Sequence, residues 1–208
     1  LAKAGTWLSD YIARTGYGAD NLPALAYAHY SVARLRADNL SALRYLADNF
    51  LKRLPTRMSA AQIGAALANF GDSERANRAF AMAEVIDRGD NLGWYEYGTD
   101  LRDAAAVVAL SAEAGRMASA LDALPGLARR YEARRYTSTQ EKLWLLLATL
   151  NVVGEGGSFD LELAGTRVTG ARQPLTRRFD SADLADTMLV RNIGSVPVQQ
   201  RLRSEEHT

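Results

Sequence analysis

Helical periodicity with alanine in place of larger apolar residues, sustained over most of the first 150 residues, is the feature that most narrows the folds open to this chain. "AAQIGAALA" (60–68) and "DAAAVVALSAEAG" (103–115) place apolar residues three and four apart, the spacing of a helix stripe. Small side chains let helix axes come together at the short end of the usual separation of about 8–10 Å. A chain of this kind stacks antiparallel helical hairpins. It is no coiled coil, because no heptad is sustained along it.

The punctuation supports about eight helices. "TWLSDYIART" puts Trp7, Leu8, Tyr11 and Ile12 on one face, and "GYGADNLP" breaks the pattern. Asn21 is placed to cap the next helix, with Pro23 in its first turn. That helix carries Leu25, His29, Val32 and Arg36 on one stripe, with Tyr27 and Tyr30 beside it. Leu43, Leu46, Phe50 and Leu54 follow at helical spacing up to Pro55. Ser59 with Gln62 reads as a capping box and Gly71 as a stop. Asp72 or Ser73 caps a helix with Ala76, Phe80, Ala83 and Ile86 inward, and Asp100 caps another that Gly115 ends. Pro125-Gly126 interrupts the next, and Ser138 with Glu141 forms a second capping box before "KLWLLLATL".

Beyond Gly154 the pattern changes. "SFDLELAG" alternates, with Phe159, Leu161 and Leu163 on one side. "TRVTG", "LTRRF", "TMLVRNI" and "PVQQRL" read as short strands, and "RNIGSVP" as a tight turn. About 50 such residues do not close a sheet domain, so they read as the opening of a β-sandwich. The expected fold is mainly α: a stack of helical hairpins over residues 1–152, then the first strands of an incomplete β-sandwich over 153–202. Residues 203–208, "RSEEHT", resemble one reading frame of a sequencing adapter and are read as a non-native tail; with the start at Leu1, they mark the sequence as a fragment of metagenomic type.

Charge and residue usage remove several functions. A net charge of +1 provides no global field for nucleic acid or anionic lipid. "RRYEARRY" (129–136) is basic and aromatic, but helical spacing turns its arginines to solvent, and no nucleic-acid partner is expected. The longest apolar run, Leu143–Leu150, is far short of the roughly 18 residues of a membrane span. With no cysteine, the chain has no disulfide, no thiolate nucleophile and no thiolate metal site. His29 is a helix residue with no second ligand near it in sequence, and His207 lies in the tail, so no metal is expected. "GEGG" and "GYG" lack the Lys-Ser/Thr of a phosphate loop. Asp100 and Asp103 are explained by the positive end of a helix, and no catalytic residue or cofactor emerges. One loop stands apart: "GWYEYGTD" carries Trp94, Tyr95 and Tyr97 within four residues. Loops hold a disproportionate share of functional residues, which makes these three the candidate site, against the plainer role of plugging the end of the helical stack.

Four stretches, in order, resemble the bacterial alpha-2-macroglobulin family. "STQEKLWLLLATL" resembles the last helix of the family's thioester domain, and "YGTDLRDAAAVVALSAEAG" its Tyr-Gly-Ser-x-x-Arg-Asp-x-Ala helix. "AQIGAALANFGDSERANRAFAMA" resembles a helical pair of that domain, and "LVRNIGSVPVQQRL" a strand pair of the β-domain after it. The resemblance implies that residues 1–152 are part of an α/α toroid, the family's thioester-type domain, and that the whole is a piece of a protease trap: a non-enzymatic endopeptidase inhibitor of the periplasm or cell envelope. Its partners would be proteases, met by the full-length protein, and neighbouring macroglobulin-like domains. It would meet a membrane only through an upstream lipid anchor. The family's Cys-x-Glu-Gln thioester is absent from this sequence and would lie before Leu1, so no thioester residue is carried over. Trp94, Tyr95 and Tyr97 are then candidates to shield that group or to touch a neighbouring domain. The competing reading is a tetratricopeptide-like interaction scaffold, favoured by "GDSERANRAFAMAEVI" but opposed by the lack of a period of about 34 residues. A toroid-fold carbohydrate enzyme would need paired carboxylates, and none is evident.

Overall fold

The computed structural model describes residues 2–35, 40–87, 98–154, 158–171, 175–180, 188–195 and 198. Among them are eight α-helices, α1 (Ala2–Arg14), α2 (Leu22–Arg34), α3 (Leu40–Asn49), α4 (Arg57–Asn69), α5 (Ser73–Val85), α6 (Asp100–Glu113), α7 (Met117–Glu132) and α8 (Thr139–Gly154). Three strands follow, β1 (Phe159–Leu163), β2 (Thr166–Ala171) and β3 (Val190–Asn192). The chain divides into two compact units, Leu1–Val152 and Val153–Thr208.

Hairpins organise the helical unit, and glycine closes two of them. Gly71 and Gly115 adopt φ of 76° and 73°, the left-handed conformation that ends a helix. Beside Gly71, the amide of Asp72 donates to the Leu67 carbonyl and that of Gly71 to Ala68. Arg116 and Gly115 repeat this pattern on Ser111 and Ala112. Each is a Schellman motif that reverses the chain, α4 into α5 and α6 into α7.

Alternate helices form an inner layer in which neighbours run in the same direction. The Asn69 side-chain amide of α4 donates to the Ala33 carbonyl of α2 at 2.5 Å, so their C-terminal ends lie together. Asn151 of α8 donates to the Ala109 carbonyl of α6 at 3.0 Å in the same way. Both pairs are formed by an asparagine near the end of its helix, reaching the backbone of the preceding inner helix. At that same end Tyr30 of α2 donates to Glu113 of α6 at 2.7 Å, and Arg34 pairs with the same oxygen at 2.9 Å. The inner helices are the buried ones: α4 is buried continuously from Ser59 to Leu67. Hairpins in two layers with a same-direction inner layer make this unit part of an α/α toroid.

Two apolar clusters share α6. One joins α1 to α5 with Ala106 and Leu110, and the other joins Leu101, Ala105, Val108, Ala109 and Ala112 to α7 and α8. Trp144 packs against both. The α4–α5 contact is as close as the alanine content demands: a Cβ on Gly64 would lie 2.8 Å from the Phe80 ring. On the outside, Arg75 forks onto Asp48 at 2.9–3.1 Å and Arg44 pairs with Asp72 at 2.7 Å, tying α3 to α5.

Several local expectations shift. Thr56, not Ser59, caps α4, its hydroxyl accepting from the Ser59 amide at 3.0 Å. Gln62 is therefore an interior residue, 1% exposed. Thr99, not Asp100, caps α6. Asn21 sits at the N-cap position of α2 without capping it; its amide donates to the Gly16 carbonyl instead. α3 ends at Asn49, so Phe50 and Leu54 lie beyond it. α7 runs unbroken through Pro125, which faces solvent while Ala120 and Leu127 bury the opposite stripe. Trp7 is exposed and stacks on Tyr11, and Tyr27 is exposed as well. Arg36 lies outside the described residues.

In the second unit β1 is central in an antiparallel sheet of order β2-β1-β3. Leu161 faces Val168 on one side and Asn192 on the other. Ala164 and Gly165, both at positive φ (47° and 79°), make the two-residue turn between β1 and β2 that suits strand twist. "LTRRF" is not a strand: residues 175–180 are exposed, and no described strand pairs with their backbone. Within "RNIGSVP", the Asn192 side chain accepts from the Gly194 amide at 3.0 Å, an Asx turn. "PVQQRL", apart from Val198, and "RSEEHT" lie outside the described residues.

Candidate functional site

The densest buried polar cluster among the described residues forms at the N-terminal ends of α6 and α8. It grows from two caps. Thr99 accepts from the Arg102 amide at 3.1 Å and satisfies one free donor of α6. Ser138 and Glu141 complete the expected capping box on α8: the Ser138 hydroxyl accepts from the Glu141 amide at 3.2 Å, and Glu141 Oε2 from the Ser138 amide at 2.6 Å. The two caps then join. The Thr99 hydroxyl donates to Glu141 Oε1 at 2.6 Å, across 42 positions of sequence.

Beside this link lies a buried ion pair. Arg102 Nε and Nη2 donate to Asp103 Oδ1 at 2.9 and 2.6 Å, with both side chains at most 4% exposed. Arg102 Nη1 reaches Gln140 Oε1 on α8 at 3.4 Å. Arg134 approaches Glu141 to 3.9 Å from the α7–α8 connection. Burial alone would raise the pKa of Glu141. Hydrogen bonds from Thr99 and Ser138, with the charge of Arg134, outweigh it and hold the carboxyl below its ordinary value. The cluster can hold two parallel helices in register and fix where the chain enters α6.

Trp94, Tyr95 and Tyr97 lie outside the described residues. The described residues resume at Gly98, which precedes the cap residue Thr99 in sequence. Glu141 was legible as a cap, whereas its role as the joint between α6 and α8 was not. Asp103 lies in the first turn of α6, as expected, and in addition pairs with Arg102 at 1% exposure. The available signal was the pair "RD" one turn into a helix, where a surface reading leaves two adjacent charges on different faces.

Elsewhere His29 is 2% exposed, with Nε2 lacking a hydrogen-bond partner among the described residues. Desolvation lowers its pKa to about 4. A shallow groove of about 280 Å³ runs beside α7, rimmed by Arg57, Glu84, Asp122 and Arg129. Its mixed charge selects no ligand class. Among the described residues no group of three His, Asp or Glu is placed to hold a metal ion.

Two of the stretches that resemble alpha-2-macroglobulins, "YGTDLRD" and "STQE", thus meet in space through Thr99, Arg102, Gln140 and Glu141. The solved structures agree. Alpha-2-macroglobulin from Salmonella, reacted with methylamine, matches 92% of this chain at a TM-score of 0.66 and 27% identity. In fold, the chain is similar to alpha-2-macroglobulin structures over most of its length. The Escherichia coli alpha-2-macroglobulin activated by porcine elastase matches 81% of it at a TM-score of 0.61 and 25% identity. The trypsin-activated Escherichia coli protein matches 80% at a TM-score of 0.64 and 25% identity. The chain spans 13% of the Salmonella alpha-2-macroglobulin structure and 16% and 12% of the two Escherichia coli ones. No family model matches the sequence, and no curated protein does. The likeness extends over hairpins and strands together, and does not favour the tetratricopeptide-like alternative.

Proposed function

We propose that this chain is a stretch of a bacterial alpha-2-macroglobulin-type protease inhibitor, a trap that restrains endopeptidases without being an enzyme. The observation that carries the reading is the joining of the two motif-bearing helices, α6 and α8, by Thr99–Glu141 and Arg102–Gln140 within a fold shared with alpha-2-macroglobulin structures. In this reading residues 1–152 are part of the thioester-type toroid and residues 153–202 the first strands of the following β-domain. The parent protein resides in the periplasm or cell envelope, and its partners are proteases. The helical unit serves as a rigid carrier whose register is set by the buried cluster. A thioester, where the parent has one, belongs to sequence other than these 208 residues, which contain no cysteine. Trp94, Tyr95 and Tyr97 shield it or meet a neighbouring domain; excluding water would prolong the life of such an acylating group.

The test uses the full-length parent protein mixed with trypsin or elastase. Hydrolysis of a large protein substrate should fall while a small chromogenic peptide is still cleaved, as for an enclosed protease. Undiminished cleavage of the protein substrate would overturn the reading. A Tyr95→Ala, Tyr97→Ala double variant of the same protein addresses the aromatic segment: it should shorten thioester lifetime or weaken trapping, and unchanged values of both remove that role.

A further inference from the structure

Gly98 is glycine for a steric reason. Positive φ explains Gly71, Gly115, Gly165 and Gly170, but Gly98 is not among them. A Cβ on Gly98 would overlap the guanidinium carbon of Arg102 and both of its terminal nitrogens. The backbone at Gly98 therefore lies directly against that guanidinium, and a larger residue would have to push it away. Arg102 is a long side chain, but it yields only by giving up bonds. Nε and Nη2 are committed to Asp103 Oδ1 at 2.9 and 2.6 Å, and Nη1 to Gln140 Oε1 at 3.4 Å.

Arg102 thus touches three pieces of chain: its own helix α6, α8 through Gln140, and the residue that follows Tyr97 in sequence. The next residue is held from the same side, since Thr99 donates to Glu141 of α8 at 2.6 Å. Two consecutive residues, Gly98 and Thr99, take their position from two consecutive residues of α8, Gln140 and Glu141. These partners lie 38 and 42 positions further along the chain than Arg102 and Thr99. An ordinary helix entry is fixed by its own cap. This one is fixed by its cap and by a second helix.

We propose that Arg102 is a positioning residue for the segment carrying Trp94, Tyr95 and Tyr97: its guanidinium seats Gly98 against α8 and so sets where that segment ends. Lysine cannot replace it. One ammonium group does not bond Asp103 and Gln140 together while lying against a backbone, whereas the planar fork of arginine does. The inference rests on the reading above for what the segment does, but not for how its end is held.

The absence of native cysteine permits a direct test on the full 208-residue chain. Nitroxide labels at Tyr97→Cys and at Leu143→Cys, an exposed site on α8, report the distance between the end of the segment and that helix. The expected result is one narrow distance distribution in double electron–electron resonance. Gly98→Ala and Arg102→Lys should each broaden it at least about two-fold. Gly64→Ala, which disturbs the α4–α5 contact instead, controls for lost stability and should leave the width unchanged. The proposal is overturned by a distribution already broad before either substitution, by an unchanged width in both cluster variants, or by equal broadening in Gly64→Ala. In the full-length parent, Arg102→Lys should weaken trapping or shorten thioester lifetime as far as Tyr95→Ala, Tyr97→Ala does. Broadening with neither effect would support the positioning and remove the role given to the aromatic segment.

Discussion

Acid should destabilise the helical unit through His29 before its paired carboxylates protonate. The side chain is 2% exposed and its Nε2 has no partner among the described residues, so the ring is stable there only when neutral. Its pKa falls from 6.5 to about 4 on folding, and the cause is desolvation. Above pH 6.5 both folded and unfolded forms are neutral and the residue contributes no pH dependence. As pH falls from 6.5 to 4, the unfolded chain takes up a proton that the folded chain refuses, and stability drops. Below pH 4 both are charged and the loss is complete. A difference of about 2.5 units at 1.36 kcal/mol each makes the full loss about 3 kcal/mol, of which about 2 kcal/mol is gone by about pH 5. That window is separable from the acid loss at Asp48, Asp72 and Glu141. Their folded pKa values lie below the ordinary 3.8, 3.8 and 4.5, so their contribution is present above those values and vanishes only at lower pH. Urea unfolding followed by circular dichroism at about pH 7.5, 6 and 5 measures the slope. His29→Leu should remove most of it and be neutral or stabilising at pH 7.5, because an unpartnered buried polar atom is lost. An equal slope in His29→Leu, or an imidazole resonance titrating near 6.5 in the folded chain, would refute the reasoning.

Two further outcomes follow from the packing. Gly64→Ala should lower stability by roughly 1–2 kcal/mol in thermal or urea unfolding, despite the better helix propensity of alanine, because the buried Phe80 ring 2.8 Å from the new Cβ cannot move freely. Asp103→Ala should cost about 2–3 kcal/mol by removing the two charge-assisted bonds that buried Arg102 donates to it, and a double-mutant cycle with Arg102→Met should show a coupling of at least about 1 kcal/mol between the two residues.

Residues whose role is decided within one turn of chain were readable in advance. Gly71 and Gly115 end helices because each needs a positive φ that other residues resist, and that need is local. The Ser138–Glu141 box spans four positions and formed as expected. Choices between adjacent signals went the other way. Thr99 and Asp100 are both good caps, and the backbone leaves its extended conformation at Thr99, at φ −134° and ψ 164°. Thr56 displaced Ser59 because starting α4 one turn earlier brings Ser59 through Leu67 into the core as a continuous buried helix. "LTRRF" has strand composition, but strand is a property of a pair, and composition does not supply the neighbour.

What the sequence determined by itself was the alternation of alanine-rich hairpins, their stops, the change to strands after residue 154 and the alpha-2-macroglobulin likeness. All of these rest on periodicity, cap chemistry and short motifs, whose range is a few residues. What only the tertiary structure decided is which of those local pieces meet. Glu141 becomes the partner of Thr99, 42 positions away, because α6 and α8 run parallel with their N-terminal ends together. His29 loses its charge because helices pack around it, and Leu146 stays in solvent because the other face of α8 took the core. Burial and partnership are sums over distant segments, and no window of sequence contains them.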